Sequence, residues 1–334
     1  MSRRDLLRLG GVGLAGAASL GIAGCGGGGG GAGGRSRFRL AEVQPDDYPT
    51  TLGDKKFADL VRERTDGRID IRVFANGQLG EEAAVIEQVQ IGAIEMTRVS
   101  SAPMTEFASG MGVFNLPFIF DSGEHMWKFL NGADGQRLLD GLEPSGFKGL
   151  AYYDAGARSF YTTKKEVQSV EDLRGLKFRV QQADVSVAFI KALGASPTPM
   201  DYGEVYSSLQ SGLIDGAENN PPSYHSSSHY EVAKNYTLDE HTRVPEVLIM
   251  SQDRWNGLSD EDKEIIQGAA KESVAFQREK WDQRVTEDME KLRAAGVNII
   301  EIDDPAPWRE ATRSVIERYR KEYGEVLDQI AAAR

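Results

Sequence analysis

The sequence predicts an α/β protein of two lobes, with a ligand cleft between them and one long helix spanning both. Three observations carry this. Strand-like alternation and helix-like spacing take turns along the chain, an order that gives sheets covered by helices rather than a bundle or a sandwich. The length, 334 residues, suggests about two domains at roughly 100–200 residues each. Finally, Ser259 to Ala295 holds no proline and a single interior glycine, Gly268. Some 36 residues at 1.5 Å per residue make a helix of about 54 Å, which overruns the ~30 Å of a small domain and must span both lobes or break.

In chain order, Arg37 to Val43 alternates with Phe38 and Leu40 on one face and reads as a strand. Thr50 or Thr51 can cap a helix carrying Leu52, Phe57, Leu60 and Val61 and closed by Gly67. Arg68 to Phe74 alternates through Ile69, Ile71 and Val73 and breaks at Asn76-Gly77. Glu81 to Ile91 is helical, and Ala93 to Val99 is a short strand. The alternation continues through 149–154, 175–181, 184–193, 202–211 and 245–251. Ser259 caps the long helix, acidic residues fill its first turn and Gly296 follows its end. Asp304 and Pro305 start a last helix. The division that follows is 37–155 with 244–283 for the first lobe, and 156–243 with 284–334 for the second.

The head is a different material. Of the 37 glycines, 14 fall in residues 1–34. Residues 1–24 carry a net charge of +2 (Arg3, Arg4 and Arg8 against Asp5), so the rest carries −12 − 2 = −14. An apolar run of about 15 residues ending Ile22-Ala23-Gly24-Cys25 is too short to span a ~30 Å bilayer core but fits an export signal. The small residues before Cys25 resemble a lipobox, and Arg3-Arg4 resembles a twin-arginine signal. Residues 1–25 are therefore expected to be an export signal whose lipid-modified Cys25 anchors the protein at the outer face of the cytoplasmic membrane. Residues 26–36 would be a tether. Gly11-Val12-Gly13-Leu14-Ala15-Gly16 matches a dinucleotide fingerprint, but no strand precedes it and the match is rejected.

The −14 body lacks the basic cluster that nucleic acid requires. One cysteine excludes internal disulfides and cysteine metal sites. No nucleophile elbow, phosphate loop or H-E-x-x-H motif is present, so neither a cofactor nor catalysis is expected. His225 and His229 lie four apart without a third ligand nearby and read as exposed histidines. Asp201 and Glu204 read as a helix start rather than a glycosidase pair.

The densest constellation runs from Tyr152 to Asn220. Arg158 sits in a glycine-bounded turn among aromatics, and Arg179 lies on a short strand with Phe178 and Val180 facing the other way. An arginine fork matches a carboxylate bidentately. The alternative for Arg179 is a surface arginine or one paired with a glutamate of its own chain.

Phe74 to Glu82, Asn115 to Phe120, Asp172 to Lys177, Arg179 to Gln182, Pro197 to Tyr206 and Gly212 to Pro222 follow one another in a distinctive order. Over residues 37–330 this set resembles the DctP-type substrate-binding proteins of tripartite ATP-independent periplasmic (TRAP) transporters. The resemblance implies that Arg179 clamps a ligand carboxylate, with Arg158 and Asn219 beside it and Tyr202 packing on the ligand. Glu82 and Arg98 would reach its distal part from the opposing lobe. Thr97-Arg98-Val99, Arg179 to Gln182, Glu218 to Pro221 and Val244 to Leu248 resemble the hexuronate-binding branch. Gln181, Glu246 and Asn219 would then serve the sugar hydroxyls together with Glu82 and Arg98; Asn220 is a further contact, less usual in the family.

The expectation is thus a monomeric lipoprotein that captures D-glucuronate or D-galacturonate and passes it to a TRAP permease. The rivals are a receptor for another organic acid, one feeding a sensor, and an exported carbohydrate-active enzyme using Glu82, or Asp201 with Glu204.

Overall fold

The computed structural model describes residues 35–334. The expected export signal, Cys25 and the glycine run lie outside the described residues. The last residue assigned to the tether does not belong to it, because Ser36 opens the first strand and its N–H donates to Arg68 O at 2.8 Å.

Among the described residues eleven strands follow one another: β1 (Ser36–Ala41), β2 (Ile69–Phe74), β3 (Met96–Ser100), β4 (Phe147–Tyr153), β5 (Arg158–Thr162), β6 (Lys177–Val180), β7 (Ser196–Pro199), β8 (Gly216–Asn219), β9 (Asn235–Thr242), β10 (Glu246–Ser251) and β11 (Asn298–Glu301). They sort into two mixed sheets, β2-β1-β3-β10-β4 and β11-β9-β5-β8-β6-β7. In the first, β1 runs parallel to β2 and β3 while β10 is antiparallel to β3 and β4. The chain passes between sheets after Tyr153, returns after Thr242 and crosses once more between β10 and β11. Each lobe is thus built on one sheet.

The inner strands β3 and β10 are buried on both faces, while β1 and β2 nearer the edge keep the alternation seen in the sequence. Along β10, Val247 and Ile249 enter one core with Val85, Ile86 and Phe114, while Leu248 and Met250 enter the opposite one with Phe57 and Ile266. The second sheet divides the same way. Phe160 and Phe178 pack on one face, Tyr161, Ala217 and Tyr236 on the other. Each such fully buried side chain contributes about 1.5–3 kcal/mol.

The helix Asp260–Ala294 runs unbroken, and Ser259 Oγ caps it by accepting from Asp262 N at 3.1 Å. It braces both lobes: Ile266, Ala269 and Ala270 lie in a first-lobe core and Leu292 in a second-lobe core. Near its middle it packs so closely on the helix Pro49–Arg64 that a Cβ at Gly53 would stand 2.9 Å from Gln277 Cβ. No other residue fits there.

Two expectations fail. The first helix is entered from Tyr48 with Pro49 at its start, not from a threonine cap. Thr50 instead donates to Glu42 Oε2 at 2.9 Å, a partner far from it in any local reading. The helix Ala306–Ala332, assigned to the second lobe with 284–334, belongs to both. Trp308 enters a second-lobe core, but Tyr323, Leu327 and Ile330 are apolar on the face that meets Phe114 and Phe129 of the first. Among the described residues no helix is long and apolar enough to cross a membrane.

Candidate ligand site between the lobes

In open α/β sheets, ligand sites form beyond the carboxyl ends of strands. Here those ends bring charge to the lobe boundary: Glu42 follows β1, Arg98 and Ser100 close β3, Arg179 and Gln181 close β6, and Glu218 and Asn219 close β8. Glu246 arrives at the same level because β10 runs the opposite way and begins opposite Ser100.

On the first lobe Arg98 is 1% exposed and surrounded by carboxylates. Its Nε donates to Glu42 Oε2 at 2.7 Å, and its Nη1 donates to Glu246 Oε2 at 2.6 Å and to Glu82 Oε1 at 3.4 Å. Glu82 Oε1 also accepts from Ser100 N at 2.8 Å. One guanidinium therefore serves three carboxyl groups. Burial, and after it the neighbouring Glu246, push the Glu82 carboxyl up to about 8.

On the second lobe Arg158 is bound by its own chain. Its Nε pairs with Glu218 Oε2, its Nη2 donates to Glu218 Oε1 at 2.9 Å and to Glu218 O at 2.8 Å, and its Nη1 donates to Asn219 Oδ1 at 2.9 Å. Burial alone would raise Glu218, but Arg158 and His241 outweigh it and hold the carboxyl at about 2. His241 closes the group, with Nδ1 2.8 Å from Asp239 Oδ2 and Nε2 3.5 Å from Glu218 Oε2. Burial opposes its protonation, yet these two carboxylates raise it to about 9.

Arg179 differs from both. It is 5% exposed, and its Nε and Nη2 donate only to Met200 O, at 3.1 and 3.0 Å. No carboxylate of the described residues forms an ion pair with it. Burial holds its pKa below the ordinary arginine value. Beside it the lobes close down on a small space of about 10 Å³, room for one water, lined by Glu81, Glu82, Gln181, Asp201 and Tyr202. Gln181 Nε2 donates across the boundary to Ser100 Oγ at 2.9 Å.

The structure therefore divides the residues expected to bind ligand. Arg179, Gln181, Tyr202 and Glu82 line one interlobe cavity. Asn219 spends its Oδ1 on Arg158 and on Asn220 N, while its Nδ2 makes no hydrogen bond among the described residues. Glu246 stands behind, on Arg98.

Three of the expected residues have partners within the chain. Arg158 and Arg98 are each paired with glutamates, the alternative considered for Arg179, while one Nη1 hydrogen of Arg158 has no partner among the described residues. Asn220 caps the helix Pro221–Ser226, accepting from Ser223 N at 2.8 Å and from Tyr48 OH at 3.3 Å.

Other readings change as well. His229 is buried, with Nδ1 2.8 Å from Tyr161 OH; burial first, then Arg179, lower it to about 3. His225 is partly buried beside Asp288. Among the described residues no three metal-ligating side chains converge. Asp201 occupies the cap position of 202–204 without a capping bond. Glu42 was not anticipated, although a lone acid just beyond an apolar strand is the signal that could have found it.

A larger groove of about 670 Å³ follows the last helix past Phe118. Its arginines are already paired, Arg309 and Arg334 with Asp121, Arg313 with Glu310, Arg320 with Asp328. It lacks the uncompensated charge of the interlobe site.

Residues 40–322 match the family model DctP, bacterial extracellular solute-binding protein, family 7. A solute-binding protein of Chromohalobacter salexigens is 38% identical over 284 residues, covering 85% of this chain and 84% of its own. A TRAP periplasmic solute-binding protein from Xanthobacter autotrophicus, solved with bound β-D-galacturonate, superposes with a TM-score of 0.85 at 42% identity, covering 89% of this chain and 98% of its own. One from Pseudomonas putida, solved with bound D-glucuronate, gives 0.87 at 40% identity, covering 89% and 97%.

Proposed function

The chain belongs to the DctP family of bacterial extracellular solute-binding proteins, and on that premise we propose that it captures a hexuronate, D-glucuronate or D-galacturonate, between its lobes. The observation that carries this reading is Arg179, a buried guanidinium without an ion-paired carboxylate among the described residues. Burying an unpaired charge is costly, and a carboxylate received bidentately by the fork removes that cost. The hydroxyls of the sugar then meet Glu82, Gln181, Tyr202 and the Asn219 amide, a set too polar for a simple keto acid. The relatives solved with galacturonate and glucuronate support the same ligand class.

In this reading the lobes close on the ligand about the crossings between the sheets and present a surface to a TRAP permease. The protein acts as a monomer and performs no chemistry. Residues 1–25 direct export and Cys25 carries the lipid anchor.

Calorimetry of the purified protein with D-glucuronate, D-galacturonate, D-glucose and D-galactose tests the ligand. Both uronates are expected to bind and neither neutral hexose, which would leave Arg179 unpaired. Equal affinity for the neutral sugars, or release of products from polyuronates, overturns the reading. Separately, Cys25→Ala is expected to move the exported protein from the membrane to the soluble fraction, which fractionation reads directly.

A further inference from the structure

A second compartment adjoins the Arg179 cavity. It has a volume of about 250 Å³, and Glu81 and Tyr202 belong to the walls of both. Its remaining walls come from both lobes, Gln44 and Asn76 on one side, Tyr206, Ser226 and His229 on the other. It is smaller than the roughly 300 Å³ at which sites for drug-sized ligands begin, so it has room for one sugar-sized group.

The lining defines the chemistry of that group. Glu81 is the single charged side chain in these walls, and no lysine or arginine accompanies it. A second carboxylate placed there would meet like charge and no cation. Hydroxyl groups would meet acceptors and donors instead. Gln44, Asn76, Ser226 and Ser227 are the uncharged polar residues of the wall. His229 is kept neutral by burial and by Arg179, so its ring adds no positive charge. Two tyrosine rings, Tyr202 and Tyr206, offer the flat apolar surface on which the C–H face of a sugar packs.

We infer that this compartment takes a neutral sugar unit joined to the uronate, so that the protein binds aldobiouronic acids as well as free hexuronates. The inference rests on the uronate reading above, with the acid group on Arg179 and the neutral unit beyond Tyr202. It adds a ligand class, a uronate glycosidically linked to one uncharged sugar, and it excludes diuronates.

Titration calorimetry with four probes tests it: D-galacturonate, D-glucuronate, galacturonosyl-rhamnose and digalacturonate. Galacturonosyl-rhamnose is expected to bind at least as tightly as galacturonate, and digalacturonate at least tenfold more weakly than galacturonosyl-rhamnose. Ser226→Phe fills the compartment and is expected to weaken the disaccharide at least tenfold while free galacturonate stays within about twofold. Tyr206→Ala, which removes one ring at the outer wall, is expected to weaken the disaccharide about five- to tenfold and leave galacturonate unchanged; it serves alone if Ser226→Phe does not fold.

Binding of galacturonate without binding of the disaccharide overturns the compartment and leaves the uronate reading standing. Failure of every uronate to bind overturns both. Equal affinity for digalacturonate overturns the neutral-unit requirement. Disaccharide binding insensitive to both variants places the second sugar elsewhere and overturns the assignment.

Discussion

Arg98 and Arg179 occupy comparable places, each buried near the carboxyl end of a strand. They differ in what surrounds them. Arg98 serves Glu42, Glu82 and Glu246, and no donor of its Nη1 edge is left for a ligand. Among the described residues Arg179 donates only to the carbonyl of Met200. The first lobe therefore brings an excess of carboxyl groups to the boundary and the second an unanswered cation. A ligand with one acid group and several hydroxyls fits such a pair of surfaces: anion on the second lobe, hydroxyl donors on the first. A buried arginine is a binding group only when its own chain has not already satisfied it.

The largest expected effect follows from the saturated arginine. Arg98→Met leaves three carboxyl groups crowded without their cation, and breaking a buried pair in this way costs about 3–5 kcal/mol. Urea unfolding at neutral pH should show that loss. A variant as stable as the parent would mean that Arg98 is not the keystone of the first lobe.

Next in size is the unsaturated arginine, and the pattern reverses. Arg179→Met is expected to weaken uronate binding by about 10²–10³-fold, or roughly 3–4 kcal/mol. Its folding stability should be unchanged or higher, because a buried charge without a counterion has been replaced by an apolar side chain of similar length. Calorimetry and urea unfolding on one preparation separate the two quantities. If Arg179→Met unfolds the protein while Arg98→Met does not, the assignments of the two residues are interchanged.

This difference was only half legible in the sequence. The alternation of β1 and β2, the caps of the long helix and its span across both lobes could be read because they depend on local spacing and turn chemistry. Arg179 stood out because its strand is short and apolar on the other face. Its lack of a partner could not be read, since pairing joins residues far apart in the chain: Arg98 with Glu42 and Glu246, Arg158 with Glu218. The capping duty of Asn220 went unread for a related reason. A residue before two prolines is well placed to cap a helix, a local duty that the ligand role borrowed from the resemblance does not express. The last helix was misassigned because periodicity defines an apolar face but not which lobe that face meets.

The carboxyl excess of the first lobe has one more member, and it gives the smallest and most specific effect. Asp54 lies on the helix Pro49–Arg64, is fully buried, and neither of its oxygens has a hydrogen-bond partner among the described protein atoms. Burial, and after it Glu246, push its carboxyl well above the ordinary range. A carboxyl raised in the folded state favours folding fully below its unfolded value of about 3.9 and loses that contribution as pH rises toward its folded value. From about pH 4 upward the parent should therefore lose ground to Asp54→Asn, which has the same shape and never ionises. The difference grows by at most about 1.4 kcal/mol per pH unit and levels off once Asp54 ionises in the folded protein. Urea unfolding of both proteins at pH 5, 6.5 and 8 measures it. A gap that does not change with pH would mean that Asp54 is ionised and stabilised in the fold, and the first lobe would then hold its negative charge by another means than a neutral buried acid.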